Sequence, residues 1–201
     1  MVQMIKAGKE GLYIFHRGEE CGCLGSGWLA ANTPEVLKDI DIAIAFDRFG
    51  TKHVITHQAH GRCCSDDFAF ALARQLGNEY HPDDTGVYTD TNEYISLVSE
   101  CTNIAVGYYN QHSDLETQNI PHLSKLLPAL LALDPTALPV VRDPSEYDGY
   151  YEASLYLDGL SSMEQLVRDN PDAVAELLRD YGIDSAGLID EIFRLSGKVT
   201  W

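Results

Sequence analysis

Two adjacent glutamates, Glu19 and Glu20, follow a short apolar run of the chain and are flanked by glycines on both sides. Neighbouring carboxylates repel each other unless a cation lies beside them, so such a pair suits either a solvated surface turn or a metal site. Asp47 likewise ends an apolar run, where a carboxylate is costly unless it is paired or bound to metal. His112 follows the pair Tyr108-Tyr109 and offers a neutral imidazole as a ligand.

The elements that must position these side chains are predicted from apolar runs and helix signals. Short apolar segments predict buried strands over 12–16, 41–47, 53–57 and 102–109. Capping residues and helical periodicity predict helices at the N-terminus and over 65–76 and 120–133, the second beginning with Ser65 as its N-cap. Strands alternating with helices indicate an α/β fold with a mostly parallel sheet. Because ligands of such sheets bind at the carboxyl ends of the strands, we expect Glu19, Glu20, Asp47 and His112 to meet at one edge.

At these positions the sequence resembles a known family. The segment GEECGCLGS (18–26) is similar to the E-E-x-G-x-x-G-S segment of the M28-type zinc aminopeptidases and of their M20 and M42 relatives. AFDR (45–48) and GYYNQH (107–112) resemble the acidic and terminal-histidine ligand segments of that family. The resemblance covers roughly residues 1–133 and implies a zinc-exopeptidase-like three-layer sandwich.

The resemblance also implies a role for each site residue. Glu19 would be the general base that takes a proton from the attacking water. Glu20 and His112 would be ligands of one zinc ion, and Asp47 would be a ligand of the other. It implies a zinc-dependent aminopeptidase-like hydrolase acting on a peptide or a small amide bond.

The sequence departs from the family in one respect. Members of the family carry an H-x-D segment and a metal-bridging Asp upstream of the Glu-Glu pair, and neither precedes Glu19 in this sequence. We therefore expect a fold truncated at its N-terminus that lacks its first strands, with one Zn²⁺ bound and a second only if the missing ligands are supplied. HPD (81–83) imitates H-x-D in the wrong order, and we predict a loop there.

Three functional hypotheses stay open on the sequence alone. The chain is a metallopeptidase, impaired by its absent ligands; or it is a non-catalytic remnant that acts as a metal-binding or protein-interaction module. As a third alternative it is one half of a split enzyme, completed by a complementing upstream chain or by a homo-oligomer.

The five cysteines and the remaining histidines suggest alternatives that we rank lower. Cys21, Cys23, Cys63 and Cys64 offer four thiols for zinc, but their spacing is not the usual one. A cysteine nucleophile with His57, His60 or His112 as its base has no local signal of activation. His53, like His57 and His60, is expected at ordinary strand and loop positions. The Thr89-Asp90 and Tyr108-Tyr109 pairs could line a substrate pocket or lie in core and loops.

Composition sets the remaining limits. The net charge of −17 disfavours nucleic-acid and anionic-membrane partners, and no apolar run reaches the roughly 18–20 residues of a membrane span. The cysteine spacing does not suit disulfides, and the chain begins without a basic, then apolar leader segment. Together these features predict a cytoplasmic protein. Along the chain we expect a peptidase-like α/β domain at 1–133, a linker at 134–149 and a helical C-terminal appendage at 150–201.

Overall fold

The computed structural model describes residues 1–59, 61–77, 79–146, 167–168, 171–180 and 188–189. The chain divides into two units, Met1–Tyr151 and Glu152–Trp201. The described part of the second unit contains the helix Pro171–Asp180, whose first residue is a proline, as is common at helix starts. Most of the predicted appendage lies outside the described residues, and the predicted boundaries at 133 and 149 stay predictions.

The first unit is an α/β domain with a mostly parallel central sheet, as predicted. Its helices are α1 (Val2–Lys6), α2 (Leu24–Asn32), α3 (Asp66–Leu76) and α4 (Ile120–Ala132). Short 3₁₀ helices span Pro34–Leu37, Asp90–Tyr94 and Pro135–Ala137. The strands are β1 (Ile42–Arg48), β2 (His53–Ile55), β3 (His57–Gln58), β4 (Gly61–Arg62), β5 (His81–Asp83), β6 (Glu100–Ala105), β7 (Tyr108–Tyr109) and β8 (Thr117–Gln118).

The central sheet has the strand order β1-β6-β2-β5. The pairs β1–β6 and β2–β5 are parallel, whereas β2 and β6 meet in an antiparallel pairing at Val54 and Ile104. Two small hairpins, β3–β4 and β7–β8, complete the described strand pairings. Because β1 and β6 run in the same direction, their carboxyl ends lie together, with Arg48 opposite Ala105.

The sheet separates two apolar cores, which gives three layers. On one face α3 and α4 pack against Val54 and Ile104. On the other face Ile55 and Cys101 pack with Leu37 and Tyr94 of the 3₁₀ helices. Successive residues of β2 therefore point into different cores, as the pleat of a strand requires.

Two sequence predictions about strands are wrong. Residues 12–16 do not form a strand, although Tyr13 packs on one core and Ile14 on the other. Residues 81–83 were predicted as a loop but form β5, which pairs with β2 at the end of the strand order. Pro82 is tolerated there because an edge strand needs hydrogen bonds on one side alone.

Candidate functional site

The Glu19-Glu20 pair lies in a tight turn that leads into α2. The N–H groups of Gly22 and Cys23 both donate to the carbonyl oxygen of Glu19, at 3.0 and 2.9 Å. Cys23 is left-handed, with φ of 53°, and is the N-cap of α2. Gly25 must be glycine, because a Cβ there would lie 2.9 Å from both the backbone N and O of Arg17. The turn is therefore held by backbone contacts that leave the two carboxylates free to face other groups.

Asp47 lies near the carboxyl end of β1 and is held through both main chain and side chain. Its N–H donates to Oδ1 of Asn103 at 2.8 Å, and its carbonyl accepts from the hydroxyl of Tyr108 at 3.0 Å. The hydroxyl of Thr89 donates to carboxylate oxygen Oδ2 at 3.2 Å. The bulge that shifts the β1–β6 register between Ala45 and Arg48 falls at this aspartate, and bulges commonly re-aim a side chain beside a functional site.

His112 contacts Glu20 although the two residues are far apart in the sequence. Its Nδ1 lies 3.4 Å from Oε2 of Glu20, and both side chains are largely exposed, at 67 and 71 %. His112 has a left-handed backbone, with φ of 59°, which is uncommon outside glycine. The segment that carries Glu20 and the segment that carries His112 thus each contain a residue with a left-handed backbone, Cys23 in the first and His112 itself in the second.

The carboxylates of the site interact electrostatically across the turn. Partial burial, together with the charges of Asp47, Glu20 and Asp90, raises the pKa of Glu19 to about 7. Burial also raises the pKa of Asp47, and the charges of Glu20 and Asp90 add to that rise. His112 lowers the pKa of both Glu19 and Asp47. The four predicted residues therefore form one electrostatic group, to which Asp90 also belongs.

The sequence suggests Thr89 and Asp90 only as residues that line a pocket or lie in core and loops, yet they connect two parts of the site. Thr89 contacts Asp47, while Oδ1 of Asp90 lies 2.6 Å from the hydroxyl of Ser26 in α2. That hydroxyl also lies 3.0 Å from the carbonyl oxygen of Cys23. The usable signal was the segment Thr89-Asp90 at a helix start, because such residues present short polar side chains at a fixed place.

A divalent cation suits this group in the kind of donors that it offers. Carboxylate oxygens and imidazole nitrogen are ligands that zinc accepts, and two of these donors, on Glu20 and His112, are already in contact. Across the described residues, no three His, Cys, Asp or Glu side chains are gathered closely enough to hold an ion. The donors therefore suit a cation in their chemistry, and Glu20 and His112 are the pair that the described residues bring into contact.

The cysteine alternatives gain nothing from the structure. Cys21 is exposed, whereas Cys23, Cys63 and Cys64 are buried, and these thiols do not gather into a metal-binding group among the described residues. Burial and the charge of Glu19 raise the pKa of the Cys23 thiol to about 12. A thiol with a raised pKa is a poor nucleophile.

The other histidines have structural partners away from Glu20. His53 lies with its Nε2 3.8 Å from Oδ2 of Asp83. His57 Nδ1 lies 3.0 Å from the hydroxyl of Thr56. His60 lies outside the described residues.

Tyr108 contacts the site through its hydrogen bond to the main-chain carbonyl of Asp47. Its neighbour on the β7–β8 hairpin, Tyr109, is exposed. Among the described helices, none is long and apolar enough to span a membrane.

Comparisons with known proteins find one distant structural likeness. No protein-family model and no curated protein matches the chain. A solved structure described as "3-D structure of PhTET1-12s, dodecamer in the asymmetric unit" aligns with 21 % identity and a TM-score of 0.49. The alignment covers 65 % of this chain and 46 % of that chain, so this chain spans less than half of that protein's length. A likeness at this level carries no functional argument.

Proposed function

We propose that the chain is a zinc-dependent hydrolase of the aminopeptidase type, acting on a peptide or a small amide bond. The observation that carries the proposal is the meeting of Glu20 and His112 at 3.4 Å, beside Glu19 and Asp47, at the carboxyl edge of the β1–β6 pair. The similarity of these segments to M28-type zinc aminopeptidases supports the same function. The five free cysteines support a reducing, cytoplasmic location.

Each residue has a distinct task under this proposal. Glu20 and His112 hold the ion, and Asp47 supplies a further carboxylate oxygen. The ion, when bound, supplies a Lewis acid that polarises the scissile carbonyl and acidifies water. Glu19, one residue from a ligand and partly buried, accepts a proton from the attacking water and passes it to the leaving amine.

The described residues support one ion more directly than two. Glu20 and His112 already meet, whereas Asp47 is held separately by Thr89. A second ion therefore needs ligands from outside this group, whether from a second copy of the chain or from a separate partner chain.

The proposal is tested with protein purified without chelator. We expect zinc in the protein by mass spectrometry and hydrolysis of aminoacyl-arylamides that a chelator abolishes. Glu19→Gln should lower kcat at least about 100-fold with zinc content unchanged, because it removes a proton acceptor and keeps a similar shape. The matched control is Glu35→Gln, an exposed glutamate on the 3₁₀ helix Pro34–Leu37. Zinc-free protein, or activity that Glu19→Gln leaves intact, would contradict the proposal.

A second candidate is a non-catalytic interaction module. Leu24 and Trp28 lie one turn apart on α2 and are 63 and 61 % exposed. Exposed apolar groups of this size at neighbouring positions are common at protein contact surfaces. This candidate predicts a protein that hydrolyses no amide substrate, whether or not it binds zinc. It also predicts that the protein self-associates in analytical ultracentrifugation and that Trp28→Ser reduces this association.

A further inference from the structure

Residues 89–99 connect α2 to the chain that leads into the turn with the two glutamates. Near the start of this segment, Oδ1 of Asp90 lies 2.6 Å from the hydroxyl of Ser26, which is fully buried in α2. One turn later, the hydroxyl of the buried Tyr94 lies 2.6 Å from Nε2 of His16. The position of segment 89–99 therefore affects both sides of the glutamate turn.

The segment is held together by its own main-chain hydrogen bonds. The N–H of Asn92 donates to the carbonyl of Thr89 at 2.8 Å, and the N–H groups of Leu97 and Val98 both donate to the carbonyl of Tyr94 at 2.8 Å. Because these bonds connect successive turns, a shift at one end of the segment moves the other end.

The end that lies farther along the chain is held by Arg142, which comes from residues 134–146. Its Nε donates to the carbonyl of Ser99 at 2.6 Å, and its Nη2 donates to the carbonyls of Ile95 and Val98. A cationic side chain that donates to the last carbonyl groups of helical turns stabilises their end. Arg142 is thus a cap supplied by a distant part of the chain.

The main chain of Arg142 is fixed as well, by the fully buried carboxylate of Glu100. Oε1 of Glu100 accepts from the N–H groups of Val141 and Arg142 at 2.8 and 3.1 Å. The same oxygen accepts from the hydroxyl of Ser65, the N-cap of α3, at 2.9 Å. These donors offset the cost of burying a charge, and they attach the base of the arginine to the domain.

We propose that Arg142 is a positioning residue, through which residues 134–146 control the conformation of the candidate site. Its guanidinium fixes one end of segment 89–99, and the other end of that segment holds α2 and the glutamate turn in place. Displacement of residues 134–146 therefore loosens the site. The inference goes beyond the proposed function, because it concerns the conformation of the site and requires no bound ion.

The test is a double-mutant cycle that combines Arg142→Ala with Ser26→Ala in the full chain, measured by urea unfolding without metal or substrate. If Arg142 holds Asp90 against Ser26, the loss of the serine hydroxyl costs less once the arginine is absent. We expect the combined effect on the unfolding equilibrium constant to depart from the product of the single effects by at least about 3-fold. Distant sites without such a link ordinarily combine within about 2-fold.

Gln75→Ala supplies the matched control cycle with Ser26→Ala. The side chain of Gln75 accepts from the N–H of Asp134 at 2.8 Å and donates to its carbonyl at 3.0 Å. Its loss loosens the start of residues 134–146 and leaves the bonds of Arg142 in place. We therefore expect this cycle to be additive.

A second measurement separates positioning from a loss of stability. In ¹⁵N NMR spectra of folded Arg142→Ala protein, we expect the amide resonances of α2 to shift and those of α4, which packs on the other core, to stay. If Arg142→Ala folds poorly, Arg142→Lys takes its place, because it keeps the charge and cannot donate to the three carbonyls together.

Each outcome decides the role of Arg142. Coupling in the arginine cycle alone, with shifted α2 resonances, supports it. Additive effects in the arginine cycle, unmoved α2 resonances, or equal coupling in the Gln75 cycle would overturn it, the last because a general loosening would then explain the effect. Since no zinc and no substrate are present, the result is independent of whether the proposed hydrolase activity is found.

Discussion

At the scale of single residues, the site combines groups that are unfavourable to place together. Glu19 lies close enough to Asp47, Glu20 and Asp90 for their charges to raise the pKa of its carboxyl group to about 7. Such crowding weakens a fold, since like charges repel. Carboxyl groups with pKa values raised in this way are common at functional sites.

Asp83 gives a pH-dependent prediction outside the site. Burial raises the pKa of Asp83, but hydrogen bonds from Thr85 and the charges of His53 and Arg48 outweigh burial and hold it below its ordinary value. A carboxyl group whose pKa is lower in the folded state stabilises the protein above the unfolded pKa of 3.8, and that stabilisation is lost as the pH falls through the folded pKa.

Asp83→Asn should therefore lower the free energy of unfolding by about 1–2 kcal/mol at pH 7. The difference from wild type, measured by urea unfolding, should shrink as the pH falls below 3.8. Asp84→Asn, at the exposed neighbour, serves as the control and should change stability little at either pH. A gap that stays constant with pH would show that the carboxyl charge is not responsible.

At the scale of elements, capping residues and apolar periodicity are sufficient to predict a helix or strand where the signal lies within the segment itself. The sequence predicts β1 and the helix that begins after Ser65, and in the structure the Ser65 side chain accepts the N–H of Phe68. Residues 12–16 do not form a strand, because a strand also needs a neighbouring strand to pair with. Tyr13 packs on one core and Ile14 on the other without such a partner.

The contacts between elements explain why part of the site could not be predicted. Asp47 lies at the carboxyl edge of the sheet because it is near the end of β1. The sequence predicts this position, since ligands of parallel sheets bind at the carboxyl ends of the strands. The hydrogen bond from Thr89 to Asp47 joins two segments whose approach is decided by tertiary packing. No spacing in the sequence carries the direction of a hydroxyl group.

The turn before α2 gives a prediction about close backbone approach. Gly25→Ala places a Cβ 2.9 Å from backbone atoms of Arg17, so the turn that carries Glu19 and Glu20 must shift. We expect about 1–3 kcal/mol of destabilisation and at least about 10-fold weaker zinc binding.

Gly27→Ala is the control in the same helix, because its new Cβ would meet a carboxylate oxygen at the flexible end of Glu93, at 3.1 Å. It should cost little, and alanine favours the helix. Thermal unfolding and calorimetry check both variants, and equal behaviour of the two would contradict the argument from Arg17.

At the scale of the whole first unit, the segment predicted as a linker is attached to the α/β domain. Leu138 is buried, and Glu100, fully buried, accepts from the N–H groups of Val141 and Arg142 at 2.8 and 3.1 Å. The guanidinium of Arg142 donates to the carbonyls of Ser99, Val98 and Ile95. Residues 134–146 therefore contribute to the stability of the domain.

Arg142→Ala in the full chain should lower the free energy of unfolding by about 2–3 kcal/mol, because several carbonyl groups lose a charged donor. Arg74→Ala, at an exposed arginine in the last turn of α3, removes a similar side chain and should cost below about 1 kcal/mol. Urea unfolding followed by circular dichroism compares them. Equal losses would indicate that residues 134–146 lie on the domain without stabilising it.

The strand order has a consequence for synthesis on the ribosome. β6 lies between β1 and β2 in the sheet but follows both of them in the chain. The apolar strand Ile42–Arg48 therefore emerges long before its pairing strand is made, and it must wait without that hydrogen-bonded neighbour until Ala105 has left the exit tunnel. An unpaired apolar strand is prone to aggregation, so we expect the nascent chain to be most prone to aggregation while residues 48–105 are being made.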